Sequence, residues 1–496
     1  MMKRRDFLKA ISFGAASLML PGRALSALRP LPKRKPNFVF ILIDDMGWKD
    51  LGFMGSRYYE TPNIDKLAGE GIVFTNAYSN APNCAPTRAC LMSGQYTPRH
   101  GIYTVGTSER GQSKLRKLIP TPNKTDLDSK IVTIPEALRQ GGYTSACIGK
   151  WHLGDKVPYR PVDRGFDIAF DRNHAGHFSK EGDYLTDRLT DEAIKFIEAN
   201  KSRPFFLYLP HHAVHTPIQA KEQLIEKYKK KEPADAHNNP TYAAMIESVD
   251  QSVGRIMAKL DESGLRDNTV VFFFSDNGGY ANSTSMVPLR GSKGMLYEGG
   301  IRVPMIVRWP GVASPGGVCD VPVIGIDFYP TMLEMAGVPE PSGHVLDGLS
   351  IVPLLRGKGT LNRKAIFWHF PAYLEAYNEE QWPWRTTPAS AVLQGDWKLI
   401  EFFEDGKIEL YNLKDDLGEK NDLAGTMPDK AEELHRTLIE WRKSVDAPVP
   451  RRKESTVRSC RQGGRQTRRK SSKKKKEEEQ DRMSAYFILH FKEKKS

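Results

Sequence analysis

Cys84-Ala85-Pro86-Thr87-Arg88 sets a thiol and a guanidinium one helical turn apart. Pro86 suits the first turn of a helix, where its missing N–H is not needed. Cys84 then stands at or just before a helix start, where backbone N–H groups and the helix dipole favour negative charge. Arg88, four residues on, lies on the same side. A nucleophile so placed is a seat for attack on an oxyanion ester. The other reading is a buried free cysteine on an amphipathic helix, the usual place of a free thiol. The rest of the chain decides between them.

Acids stand at the ends of apolar runs. Asn37 to Ile43 runs into Asp44-Asp45, and Thr269 to Phe274 runs into Ser275-Asp276-Asn277. Three carboxylates packed together repel and raise one another's pKa unless a cation intervenes. Such hard oxygen ligands suit Ca²⁺ or Mg²⁺ and not zinc. Taken singly each acid is an ordinary loop residue; as a convergent set the metal reading prevails.

The bases also cluster. Lys150 and His152 flank Trp151, His211, His212 and His215 crowd one segment, and Lys293 sits in Arg290-Gly291-Ser292-Lys293-Gly294. Alone, each is structural or solvated. Gathered around a metal and a helix start they form a receptor for a multiply bonded oxyanion. They would then stabilise charge in displacement at phosphorus or sulfur. His100, Asn173, His174, His369 and Arg385 can line a pocket or serve structure. Trp382 and Trp384 can stack on a sugar or pack a second domain.

What must position these groups is a set of buried strands. Continuous apolar runs at 37–43, 143–148, 205–209, 269–274 and 303–309 read as strands buried on both faces. Between them come helical stretches: Thr61-Pro62 opens one, Thr133 to Gly141 is another, and Met245 to Leu260 keeps helical spacing. The alternation predicts an α/β fold with a large, mostly parallel, doubly wound sheet over 37–340. The carboxyl ends of its strands then converge on one edge, where open sheets place ligands. From 341 the character changes. Trp397 to Phe403 and Ile408 to Leu413 read as a hairpin, and Lys430 to Lys443 as a closing helix. A smaller C-terminal subdomain, antiparallel sheet plus helix, is expected over 341–450.

The ends differ from the body. Of a formal net charge of +13, residues 1–26 carry +4 and residues 451–496 carry +11, leaving the body near −2. A nucleic-acid partner therefore has little support. Lys3-Arg4-Arg5-Asp6-Phe7-Leu8-Lys9, an apolar run and small residues near Ala24 read as a signal peptide over 1–26. The paired arginines resemble a twin-arginine signal, which predicts a periplasmic or secreted protein. The apolar run is too short for a permanent membrane anchor. Residues 451–496 read as a charged, disordered tail or a polyanion-binding arm. Five widely spaced cysteines suggest no disulfide framework.

In this order the motifs resemble the sulfatase family of the alkaline-phosphatase-like superfamily. The most specific is Cys84-Ala85-Pro86-Thr87-Arg88 with Leu91-Met92-Ser93-Gly94; Thr87 and Ser93 stand where the family often has Ser and Thr. Gly149 to Gly154, His215-Thr216-Pro217, Asp276-Asn277-Gly278, Lys293 and Glu298-Gly299-Gly300 fit the same pattern. The resemblance implies that a maturation enzyme converts Cys84 to formylglycine. It implies one Ca²⁺ held by Asp44, Asp45, Asp276, Asn277 and residue 84. One hydroxyl of the aldehyde hydrate would attack sulfur, with His215 as acid for the leaving oxygen and Lys293 on the sulfate. The other hydroxyl would lose its proton to His152 and expel sulfate, while Arg88 and Lys150 stabilise the charge. His211 and His212 are left to structure or the substrate rim. The implied substrate is an aryl sulfate or a sulfated carbohydrate. Two rivals stand beside it: a phosphodiesterase or phosphonate monoester hydrolase of the same superfamily, and a non-catalytic binder of sulfated glycans.

Overall fold

The strand at residues 37–43, NFVFILI, is buried along its whole length, and the molecule is layered about it. The computed structural model describes residues 34–171, 176–179, 182–377 and 382–453. The signal peptide, Asn173, His174 and nearly all of the tail lie outside the described residues. The central sheet comprises β1 (Asn37–Ile43), β2 (Ile72–Phe74), β3 (Thr144–Ile148), β4 (Ile168–Phe170), β5 (Phe205–Pro210), β6 (Thr269–Ser275), β7 (Met305–Arg308) and β8 (Gly317–Cys319). Its order is β8-β2-β7-β6-β1-β5-β3-β4.

β1 pairs in parallel with β5 and β6, β3 with β5 and β4, and β2 with β8. Only β7 runs against its neighbours β6 and β2. A parallel return needs a crossover, usually a helix. The 29 residues between β6 and β7 instead fold over the strand ends, with one short helix at Glu298–Ile301. The chain therefore re-enters the sheet from the end it left.

Seven helices matter for the layers: α1 (Pro62–Glu70), α2 (Cys84–Ser93), α3 (Ile134–Gln140), α4 (Leu185–Ala199), α5 (Pro240–Glu262), α6 (Phe328–Ala336) and α7 (Pro428–Ser444). Alternate residues of a strand face opposite sides. Phe38, Phe40 and Leu42 accordingly join a core with α2, α3 and α6. Val39, Ile41 and Ile43 join another with α1, α4 and α5. This sandwich is the α/β architecture expected from the alternating pattern.

Helix starts were legible in part. The helix expected from Thr133 to Gly141 starts there, and Thr133 caps it, its backbone N–H donating to Glu136 at 2.6 Å as in a capping box. Thr61 does not cap α1 with its side chain. Its hydroxyl accepts from the Gly52 N–H at 2.8 Å and donates to Asp65 at 2.9 Å, so a neighbouring loop takes the oxygen meant for the helix.

A second sheet, β9 (Ile366–Phe370), β10 (Ala389–Gln394), β11 (Trp397–Phe402) and β12 (Ile408–Asn412), is antiparallel in that order. The expected hairpin is β11–β12; β9 and β10 add two strands to it. Leu434, Leu438 and Trp441 of α7 pack on this sheet, in a core that also takes Tyr78, Cys90 and Ile301 from the larger part. The described residues through Arg452 form one compact unit. Among the described residues no helix is long and apolar enough to cross a membrane.

Candidate active site

β1 and β6 lie side by side, so their carboxyl ends bring Asp44-Asp45 against Asp276-Asn277. The loops are laced where the strands stop. The Asp276 N–H donates to Ile43 O at 3.0 Å, the Asp44 N–H to Ala213 O at 3.0 Å, and the Lys150 N–H to Pro210 O at 2.8 Å. Asp45 adopts a left-handed φ of 64°, and its N–H reaches Asp276 Oδ1 at 3.2 Å. A Cβ on Gly149, itself at φ 122°, would lie 2.1 Å from Pro210 O. Only glycine lets β3 deliver Lys150 there.

Cys84 is the first residue of α2 and is 2% exposed. The preceding loop is pinned by Thr87, whose hydroxyl donates to Ala81 O at 3.0 Å and accepts from the Ala81 N–H. Arg88, wholly buried, projects from the same face. Its guanidinium meets Asp276 at 2.8 and 3.0 Å and Asp44 at 3.7 Å. Lys150 pairs with Asp44. Lys293 pairs with Asp45 at 2.7 Å, and the Asn277 amide donates to the other Asp45 oxygen at 2.8 Å. His215 Nε2 stands 3.6 Å from Asp45.

Glycines set Lys293 in place. A Cβ on Gly278 would come within 1.9 Å of Gly299 O, and one on Gly300 within 2.0 Å of Met295 O. The two loops interlock, and the Lys293 N–H donates to Gly279 O at 3.0 Å.

The charges shift one another. Burial pushes the Asp44 carboxyl up, but Lys150, His215, Arg88 and Lys293 outweigh it and hold the group well below the usual range. Burial and the Asp44 charge raise Asp276 despite Arg88. His152, at φ 63°, is pushed down to about 3, first by burial and then by Lys150 and Arg88. It is a neutral base beside three cations.

These residues fit a hard cation. Ligand atoms of Asp44, Cys84 and Asp276 lie within 4.8 Å of one another, as do those of Asp44, Asp45 and His215. Asp44 Oδ1 and Asn277 Oδ1 are buried without a hydrogen-bond partner among the described residues. A buried acceptor left unmatched is costly. Two such oxygens facing a carboxylate cluster fit an oxygen-coordinated ion.

All ten candidates from the sequence thus meet at one sheet edge. Other histidines do not join them. His211 is buried against the Ser252 hydroxyl at 3.1 Å, and His212 pairs with Asp171 at 2.8 Å. His100 packs on Cys90 Sγ at 3.3 Å, and His369 bonds to Ser390 and Pro448. Three supports were not foreseen. Ser275 Oγ holds Asn277 O at 2.9 Å, the Tyr377 hydroxyl donates to Lys293 O at 2.7 Å, and Tyr242 bridges Asp50 and Asp45 O. A signal for the first was Ser275 inside the Ser-Asp-Asn run.

Known proteins place this arrangement. Residues 36–338 match the family model Sulfatase, and residues 292–444 match that of N-sulphoglucosamine sulphohydrolase, C-terminal. A sulfatase of Formosa agariphila is 34% identical, over 90% of this chain and 95% of its own. The N-acetylgalactosamine-6-sulfatase of Mus musculus is 33% identical, over 75% of this chain and 76% of its own. The crystal structure of Ps i-CgsB in complex with k-i-k-neocarrahexaose superposes with a TM-score of 0.71. It is 29% identical and covers 82% of this chain and 93% of that one. With its sheet, its Cys84 helix and its second sheet all within the matched spans, this chain belongs to the sulfatase family, alkaline-phosphatase-like enzymes that hydrolyse sulfate esters.

Proposed function

We propose that the protein removes sulfate from sulfated carbohydrates with a formylglycine made from Cys84 and a bound Ca²⁺. The observation that carries this is Cys84 at a helix start with its sulfur grouped with Asp44 and Asp276 carboxylate oxygens. Conversion of Cys84 would supply an aldehyde hydrate, whose hydroxyl is the nucleophile toward sulfur. Asp44, Asp45, Asp276, Asn277 and residue 84 would hold the Ca²⁺, which supplies positive charge to the anionic ester.

The chain's own side chains do the rest. Lys150, Lys293 and Arg88 make the cationic wall that receives the ester oxygens. His215 donates its Nδ1–H to Thr216 O at 2.7 Å, since a carbonyl only accepts. Its Nε2 is thereby aimed inward, and in the imidazolium form of the ring it gives a proton to the departing alcohol. His152, held neutral by burial and by the Lys150 and Arg88 charges, takes a proton when sulfate is released. The sum is ester plus water going to alcohol, sulfate and one proton. The carbohydrate assignment is supported by relatives named for a sugar sulfate and by one solved with a carrageenan oligosaccharide.

Residues 1–26 then serve twin-arginine export to the periplasm or beyond, and Cys84, buried once folded, is converted before export. Peptide mass spectrometry of the exported protein should find the aldehyde at position 84, and Cys84→Ala should release no sulfate above background. Unmodified Cys84 in fully active protein would sink the mechanism. Faster turnover of an aryl phosphodiester than of an aryl sulfate would favour the phosphonate and phosphodiester reading.

A further inference from the structure

Arg385 pairs with no acid among the described residues. Its Nε is buried and has no hydrogen-bond partner among the described residues. Arg88, Arg302 and Arg363, also largely buried, each hold a carboxylate. Arg385 instead lies over the Tyr377 ring, 3.9 Å from its centroid. Burial first, and also the Arg110 charge, lower its pKa, while the Tyr377 hydroxyl, its side-chain partner, works against them. Arg110 spends one guanidinium N–H on Val105 O at 2.6 Å and forms no ion pair among the described residues. A desolvated guanidinium facing another cation is costly unless an anion joins it.

The position is next to the ester site. A Cβ on Gly294, the residue after Lys293, would lie 2.8 Å from Arg385 Nε. Tyr377, beneath Arg385, donates to Lys293 O. Tyr377 also lines a cleft of about 590 Å³ with Gly111, Glu375, Trp382 and Trp384, and Trp384 shares a neighbouring cavity of about 200 Å³ with Arg385. Trp382 is 65% exposed. A Cβ on Gly111 would strike the Trp384 ring at 2.4 Å, so this loop is built to lie flat on the indole. Exposed indole beside an unpaired guanidinium suits a sugar ring that carries an anionic group.

We propose that Arg385, with Arg110 behind it, binds a second anionic substituent, a carboxylate or a sulfate, on the sugar next to the one that bears the scissile ester. This rests on the carbohydrate sulfatase reading above and makes the preferred substrate a polyanionic oligosaccharide. The guanidinium fork matches either oxyanion in bidentate fashion.

The test uses full-length matured enzyme and three disaccharides. One carries only the scissile sulfate, the second adds a sulfate on the neighbouring ring, and the third oxidises that ring to a uronate. The readout is the ratio of kcat/KM for a doubly charged substrate to that for the singly charged one, taken on the same preparation. In the parent at least one doubly charged substrate should be preferred tenfold or more. Arg385→Gln should bring that ratio to about one, and Arg385→Lys should keep part of it. A ratio that Arg385→Gln leaves unchanged, or a parent with no preference for either substrate, overturns the subsite while sulfate release still stands. A parent that frees sulfate from none of the three, nor from an aryl sulfate, overturns the carbohydrate reading and the subsite with it.

Discussion

At the residue scale, the site is a cluster of opposite charges that neutralise one another in a dry place. Asp44, Asp45 and Asp276 face Arg88, Lys150 and Lys293, yet Asp44 Oδ1 and Asn277 Oδ1 remain unmatched. A divalent cation bound there only in the folded state adds stability by mass action, about 2.7 kcal/mol at a hundred times its dissociation constant. Removing it with chelator should abolish sulfate release and lower the unfolding midpoint, and added Ca²⁺ should restore both. Asn277→Ala should raise the Ca²⁺ concentration needed for half of that midpoint shift by tenfold or more. A midpoint indifferent to Ca²⁺ in the parent would remove the ion from the account. These residues were legible because attack on an oxyanion ester needs acids, cations and a nucleophile, and those types stand out at the ends of apolar runs. Tyr377, Tyr242 and Asp50 were not legible. Each acts on a backbone carbonyl or a loop far away in sequence, and a lone tyrosine or aspartate carries no spacing to announce that.

At the element scale, the strands were read from their apolar runs, and the burial of β1, β5 and β6 explains why. β9, IFWHF, and β10, ASAVLQ, escaped notice because each is only five or six residues long, and a short apolar run does not announce the neighbours that make it a strand. The direction of β7 was also hidden, since an apolar run does not say from which end the chain enters. The second sheet is locked to the site by ions. Lys398, wholly buried on β11, bridges Glu298 and Glu419 at 2.8 Å each, and Arg302 closes on Glu298 at 2.6 Å. Glu298 belongs to the Glu-Gly-Gly turn whose interlock sets Lys293. Lys398→Met keeps the stem and removes the charge, leaving two buried carboxylates with one cation. Loss of one partner of a buried ion cluster costs about 3–5 kcal/mol. Urea titration should register a loss of that size. A change below about 1 kcal/mol would mean the cluster contributes little to holding the second sheet.

At the scale of the whole molecule, burial of titratable groups makes stability depend on pH. His100, His152, His211 and His369 are each pushed down to about 3, in every case by burial first. In the unfolded chain they titrate near 6.5. Between those values the unfolded state binds protons that the folded state refuses, so stability falls as pH falls. Buried carboxyls act in the other sense. Burial raises Asp276, Asp50 and Asp65. It also raises Asp250 to about 6 and Glu419 to about 7, so near pH 5 the folded state holds protons that the unfolded state has released. Each of the four histidines is one proton taken up on unfolding near pH 5, about 1.4 kcal/mol per pH unit, against which the raised carboxyls work as pH falls through their own folded values. Replacing His369 by Gln removes one of those protons. The unfolding free energy of the variant, from denaturant titration, should therefore fall less than the parent's between pH 7 and pH 5, by about 2 kcal/mol, most of it between 6 and 5. A difference between parent and His369→Gln that stays the same from pH 7 to pH 5 would show that this ring is already protonated or exposed in the folded protein, and that the second sheet packs less tightly around His369 than its bonds to Ser390 and Pro448 require.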